Sequence, residues 1–482
     1  DLAGNESAVA SDSITLDTVL PVITSITSPI EDGHYREGTS IEVRVGFNKN
    51  VTLSGGGIIV TLNTDGTFEI AELSNSNIGT GTYVVRANDT SAALAVSSFA
   101  LSPGATVSDA AGNEVTLSVP VSNFSGRAIV IDTTPPAAPV VSGSALTNNQ
   151  RTTWSWIAGD TTGNGTFRYQ MNTEAGEWIE TESTSYTPEL NLEDGTHTLY
   201  VQERDSAGNW SASGSFSTTI DTSVPTILHI TSSADDGHYK SGDQIEVIVN
   251  FSKNVTLVGG DLTITLETGA VDRTVVITEI VNETQGSGIY TVQDGDESAD
   301  LAASSVTLSI LATLADEAGN DASLAIPQGG NISDVKNIVI DTVPPLAPAV
   351  TSIASITGDA TPTWSWSTGG GGNGTFRYHL NNDVWSEETT ATSFTPESDL
   401  ADDEHTLYVQ ERDDAGNWSE NGHFTLTVDT SAPIATISGA PSNPSNDTSL
   451  NVSVGGIGVL EYSYDLLTGA ENCSAASYGE WT

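Results

Sequence analysis

The chain has 482 residues, with 63 Asp and Glu against 14 Lys and Arg and a net charge of −49. That sign argues against a nucleic-acid partner, because phosphate binding calls for basic residues, and so much carboxylate repels itself unless salt or divalent cations neutralise it. The length predicts several domains, and no apolar run is long enough for a membrane-spanning helix. High Gly, Ser, Thr and Val content with a single Met suits all-β modules.

The chain opens inside a phrase that it then repeats. Asp1-Leu2-Ala3-Gly4-Asn5 is followed by a short predicted strand at 13–16, Asp17-Thr18 and Pro21. A long module follows over 18–132. Its predicted strands are 22–26, the alternating run 41–47 with Ile41, Val43, Val45 and Phe47 facing inward, then 58–62, 68–73, 83–86 and 128–131. The phrase returns as Asp109-Ala110-Ala111-Gly112-Asn113 before Asp132-Thr133 and Pro135.

A shorter module spans 133–221, with Trp154-Ser155-Trp156, a glycine-bearing loop at 159–165, the strand 167–169 and the strand 196–201. Asp205-Ser206-Ala207-Gly208-Asn209 leads to Asp221-Thr222 and Pro225. The pair then repeats: His34 recurs as His238 and Trp154 as Trp364. The second long module covers 222–341, with its phrase at 316–320, and the second short one covers 342–429, with its phrase at 413–417. From 430 a fifth module begins, with predicted strands at 450–454 and 460–464. Opening and closing in mid-module predicts a segment of a longer polypeptide. Strands at short spacing, punctuated by Gly, Asn and Asp, predict antiparallel β-sandwiches. Joints of two or three residues ending in Pro predict stiff, end-to-end packing in an extended rod.

Asp-x-Ala-Gly-Asn followed by Ile-Asp-Thr-x-x-Pro resembles the bacterial immunoglobulin-like, or cadherin-like, tandem repeats of large extracellular adhesins. The short module resembles them most, through Trp-Ser-Trp, Asn-Gly-Thr-Phe-Arg-Tyr and His-Thr-Leu-Tyr-Val-Gln-Glu-Arg-Asp. The resemblance covers essentially the whole chain. It implies tandem immunoglobulin-like sandwiches, a place outside the bacterial cell, and a stalk often stiffened by calcium at its joints.

In such a sandwich the turn before the last strand lies at the pole where the chain enters, facing the exit of the preceding module. Asp17 then meets Asp109 and Asn113, and Asp132 meets Asp205 and Asn209. Asp221 meets Asp316 and Asn320, and Asp341 meets Asp413 and Asn417. Asp429 is the exit toward the fifth module. Glu203 and Glu411, two residues before the turn Asp, point the same way along an extended strand. Calcium takes six to eight oxygens from carboxylates, amides and carbonyls, so these fifteen residues form the candidate metal set, in an arrangement resembling cadherin junctions. The competing account is turn chemistry alone, because Asp and Asn bond nearby backbone and Gly supplies positive φ.

Other candidates carry less. Glu31-Asp32 and Asp235-Asp236 read as solvated loop acids, and Asp294 and Asp296 have only Asp89 as a counterpart. The tryptophans at 154, 156, 364 and 366 read as core, whereas Trp210 and Trp418 are candidates for a contact with the neighbouring module. His34 and His238 have no second ligand for zinc, and the run 369–372 reads as a flexible loop. No nucleophile elbow or Cys-His pair predicts an enzyme. The reading is a non-catalytic stalk segment projecting a binding domain in adhesion or biofilm formation. Its alternatives are a segment of an extracellular filament, with other copies as partners, or accessory sugar-binding modules of a polysaccharide-degrading enzyme. Outside the cell, the single Cys473 calls for a disulfide partner beyond residue 482.

Overall fold

The computed structural model describes residues 4, 6, 14–439, 451–457 and 459. The opening Asp1, Asn5 and Ser13, the expected strand at 460–464, and Cys473 lie outside the described residues. The chain divides into two compact units, 1–223 with 317–320, and 224–316 with 321–482.

In the first unit, the long module is built around one strand, Ser40–Ser54. Ile41, Val43, Val45 and Phe47 alternate inward, all at 4% exposure or less, as the period-2 pattern requires. Ile23–Thr27 and Ser76–Val84 flank it in antiparallel register. The register then shifts between Gly46 and Val51, and the far end pairs with Thr106–Ser108. This irregular stretch carries Asn48-Lys49-Asn50 away from the regular ladder toward the pole where the chain enters.

Ile58–Leu62 lies between Thr67–Ile70 and Val96–Leu101. Ile129–Asp132, the last strand, runs parallel to Gly33–Tyr35 and antiparallel to Thr90–Ser91. The core is largely aliphatic, with Ile26, Ile41, Val43, Ile58 and Ile70 among its wholly buried members. Each such side chain contributes roughly 1.5–3 kcal/mol through burial. Residues 14–16, expected as a strand, form none.

The short module of this unit packs Val140–Ser142, Trp154–Ile157 and Ser185–Tyr186 against a five-stranded sheet. That sheet is ordered Leu146–Thr147, Gly214–Ile220, Gly195–Asp205, Gly163–Met171 and Ile179–Thr181. Trp154 and Trp156 point inward onto Phe167, Leu199 and Val201. Both indoles are core residues, at 2% exposure or less.

The second unit repeats the scheme. Gln244–Val258 is its long strand, with Ile245, Val247, Val249 and Phe251 buried. Trp364–Ser367 places Trp364 and Trp366 in the second short core. Two features differ among the described residues. The second short module's larger sheet has four strands, without a counterpart of Ile179–Thr181. The second long module has a four-residue helix at Ile332–Val335, capped by Asn331 with Asp334 completing a capping box. Ile434–Ser438 and Ser453–Ile457 pair antiparallel at the start of the fifth module. The chain is all-β, in tandem immunoglobulin-like sandwiches.

Candidate functional site: the module joints

The phrases at 109–113, 205–209 and 413–417 are closed turns. The amide of Asn113 donates to Asp109 Oδ1 at 2.9 Å, and those of Asn209 and Asn417 to Asp205 and Asp413 at 2.8 Å. Gly112, Gly208, Gly319 and Gly416 take φ between 88° and 92°, where a side chain would be strained. The Asn side chain reaches back to the exit of the preceding module. Asn113 Nδ2 donates to the carbonyl of Asp17 at 3.1 Å, Asn209 to Asp132 at 2.8 Å, Asn320 to Asp221 at 2.9 Å and Asn417 to Asp341 at 2.9 Å.

The sequence reading therefore brought the right residues together but gave Asn a different task. Its amide nitrogen, not its oxygen, faces the exit Asp. Basic or amide groups also grip the turn carbonyls: Arg36 on Gly208 at 3.0 Å, Lys240 on Gly416 at 3.0 Å and Asn148 on Gly319 at 2.7 Å.

Beyond this shared frame the joints are of two kinds. At the mouth of the first long module, Lys49 Nζ lies 2.8 and 2.7 Å from the two carboxylate oxygens of Asp17, 2.5 Å from the carbonyl of Val19 and 2.8 Å from Asp109 Oδ2. Hydrogen bonds from Asn113 and Lys49 hold the Asp109 carboxyl far below its ordinary pKa, and Lys49 holds Asp17 down as well. The same contacts, first Asp109 and then Asp17, raise the lysine. Lys253 lies 2.9 Å from Asp316 Oδ2 in the second long module. The sequence reading put calcium at all these joints and missed the lysines. The signal was present: the chain has four lysines, and two occupy matching places in Phe47-Asn48-Lys49-Asn50-Val51-Thr52-Leu53 and Phe251-Ser252-Lys253-Asn254-Val255-Thr256-Leu257.

At the mouths of the short modules, no ammonium or guanidinium pairs with Asp132, Glu203, Asp205, Asp341, Glu411 or Asp413 among the described residues. Glu203 and Asp205 share the inward face of their strand, 2% and 3% exposed, and Glu411 and Asp413 do the same at 0% and 3%. Glu203 Oε1 takes the Gly165 amide at 3.4 Å, while Oε2 is buried with no partner. Desolvation pushes this carboxyl above its ordinary pKa. Glu411 differs by one contact, since Thr368 Oγ1 donates to its Oε2 at 2.7 Å. The glycine loops are tight rather than loose. A Cβ on Gly163 or Gly372 would overlap the Glu203 or Glu411 carboxyl, so these loops need glycine to close over the acid.

The orphaned Glu203 oxygen is of the kind a cation satisfies, whereas at the mouth of the first long module the Lys49 ammonium already sits between the acids. Among the described residues, no three acidic or imidazole side chains converge into a ready cage, so carbonyls would supply much of any coordination shell. Asp429 Oδ1 accepts the Ser431 amide at 3.1 Å.

The remaining candidates resolve structurally. Asp32 pairs with Arg127 at 2.6 Å, and Asp236 accepts the Asn337 amide at 3.1 Å. Asp89 and Asp296 are buried acceptors for the hydroxyls of Tyr83 and Tyr290, at 2.5 and 2.7 Å. Burial and Asp89 push Tyr83 up to about 12. Trp210, expected against a neighbouring module, instead stacks within its own: Arg168 sits 4.3 Å from its ring and 4.8 Å from that of Trp178. Arg377 repeats this between Trp385 and Trp418 at 4.6 and 4.2 Å. Both histidines of Asp-Gly-His-Tyr are exposed on edge pairings with the last strand.

Residues 142–222 and 348–430 match the family model described as bacterial Ig-like domain. The two short modules are thus similar to bacterial immunoglobulin-like domains over nearly their whole length. Among solved structures it is similar to the chicken CNTN1 FN1–FN3 domains, at 12% identity over 61% of this chain and 99% of that one, with a TM-score of 0.21. The fibronectin(III)-like modules of Clostridium thermocellum CbhA align at 15% identity over 41% and 94%, with a TM-score of 0.20. Titin domains A168–A170 align at 11% over 61% and 99%, with a TM-score of 0.23. No curated protein sequence matches the chain.

Proposed function

We propose that the chain is a non-catalytic stalk segment of a secreted or cell-surface bacterial protein. Its task is to hold a binding domain, carried elsewhere in the polypeptide, away from the cell for adhesion or biofilm formation. The observation that carries this reading is the repeated bond from each turn Asn to the exit Asp carbonyl of the module before it. A bond made at the same place at each described joint gives successive modules a fixed mutual attachment, which a string of independent binding domains does not need. Tandem bacterial immunoglobulin-like domains are commonly extracellular, which supports the location.

Calcium belongs to the proposal at the joints entering the short modules. Asp132, Glu203 and Asp205 would hold one ion, and Asp341, Glu411 and Asp413 another. The ion would supply the positive charge these buried acids lack and crosslink two modules. Small-angle scattering in calcium buffer tests the stalk. A rod of four complete modules should give a radius of gyration about twice the ~23 Å of a compact 482-residue globule. A value near the compact one would sink the proposal.

A further inference from the structure

Four strands place one residue in the same spot. In each module the residue two after a proline pairs with an inward aromatic: Ile23 with Phe47, Val141 with Trp156, Ile227 with Phe251 and Val350 with Trp366. Two residues beyond each aromatic stand Lys49, Ala158, Lys253 and Thr368. A second position varies in step. Two residues before the turn Asp stand Val107 and Leu314 in the long modules, but Glu203 and Glu411 in the short ones. All four are buried.

Where the first position is Lys, the second is apolar. Where the first is small, the second is a carboxylate. In the second short module the two sites touch, since Thr368 bonds Glu411; in the first, Ala158 has no hydroxyl to offer and Glu203 Oε2 is unpartnered.

From this paired exchange we propose that the lysine is a built-in substitute for a bound cation, so that calcium enters only the joints in front of short modules. The proposal rests on the calcium reading above and assigns where it applies. The Lys49 ammonium gathers four oxygens from both sides of its joint within 2.8 Å, which is what a metal ion would do there. It is met by two carboxylates and one carbonyl without a third carboxylate, and Val107 belongs to the apolar core. The short joints keep the carboxylates, add Glu203 or Glu411, and omit the ammonium. The chain therefore alternates permanent joints with joints whose closure follows calcium concentration.

The test is calcium binding by the full chain, measured by equilibrium dialysis beside calorimetry, with magnesium as control. Ala158→Lys with Glu203→Val should bind one ion fewer per chain than wild type, and its first short module should melt at the same temperature in calcium and in chelator. Glu203→Gln, which keeps the side-chain shape, should also lose one ion and serves if the double variant does not fold. Lys49→Ala should bind one ion more, and its first long module, weakened in chelator, should recover in calcium but not in magnesium. An unchanged count in both Glu203 variants overturns the assignment at the short joints, and an unchanged count in Lys49→Ala overturns it at the long ones. Wild type that binds no calcium rejects the parent reading before any variant is made.

Discussion

The long and short modules solve the same packing problem with different means, and the difference reaches their joints. The first long module buries 21 side chains in its core, 17 of them aliphatic, whereas the first short one buries six and leans on two tryptophans. The long module can spare length for a bent strand that delivers Lys49 to its own mouth. In the short module the matching strand is only Trp154–Ile157, and a glycine loop closes directly over an acid. A smaller module with a buried carboxylate has less stability in hand and more to gain from a ligand.

The largest expected effect tests the asymmetry of the cores. Trp364 is fully buried and its indole N–H bonds the Phe424 carbonyl at 3.1 Å. Trp364→Ala should cost about 3–5 kcal/mol, enough to unfold a small module, while Ile26→Val in the long module should cost only about 0.5–1.5 kcal/mol. Calorimetry should show the second short module's transition lost in the first variant. If both variants shift their transitions equally, the cores do not differ as described.

A smaller effect is expected at the frame common to both joints. Asn209→Ala removes the bond to the Asp132 carbonyl and the side-chain bond to Asp205 Oδ2, and keeps the backbone amide bond to Asp205 Oδ1. A loss of about 1 kcal/mol follows for a hydrogen bond of this kind. Asn113→Ala should behave alike at the lysine joint, and unequal losses would show that the frame is not shared.

The smallest effect is one of pH, and it has opposite sign at the two joints. Asp17 and Asp109 are held below their ordinary pKa, so the stability they give is present above the unfolded carboxylate value and is lost as pH falls below it. Lys49 is held above its ordinary pKa, so its share is present below the unfolded lysine value, about 10.4, and is lost only as pH rises through the folded one. Glu203 is raised by burial, so the folded short module binds that proton more tightly than the unfolded chain. In chelator its stability should fall as pH climbs from about 4.3 through the raised value. Thermal scans from pH 4.5 to 7 should therefore lower the first short module's melting temperature, and Glu203→Gln should flatten that slope. A short module that instead gains stability over this interval would show that Glu203 is not buried bare.

Much of this was written in the sequence, because local periodicity has one physical meaning. Apolar residues at 41, 43, 45 and 47 leave a strand no other way to bury one face, and Trp-x-Trp puts both indoles on that face. Asp-x-Ala-Gly-Asn dictates its turn through the positive φ of Gly and the Asp acceptor, so the repeat and the meeting of the exit and turn acids were legible. The tertiary structure alone decided what lies between those acids. Lys49 is 60 residues from Asp109 and 32 from Asp17, and only the bent strand brings its ammonium to both. The inward course of Glu203, the loop glycine pressed on it and the arginine that claims Trp210 have the same origin. Turn and strand follow from neighbours in sequence, but charge neutralisation depends on which distant side chain the fold delivers to the spot.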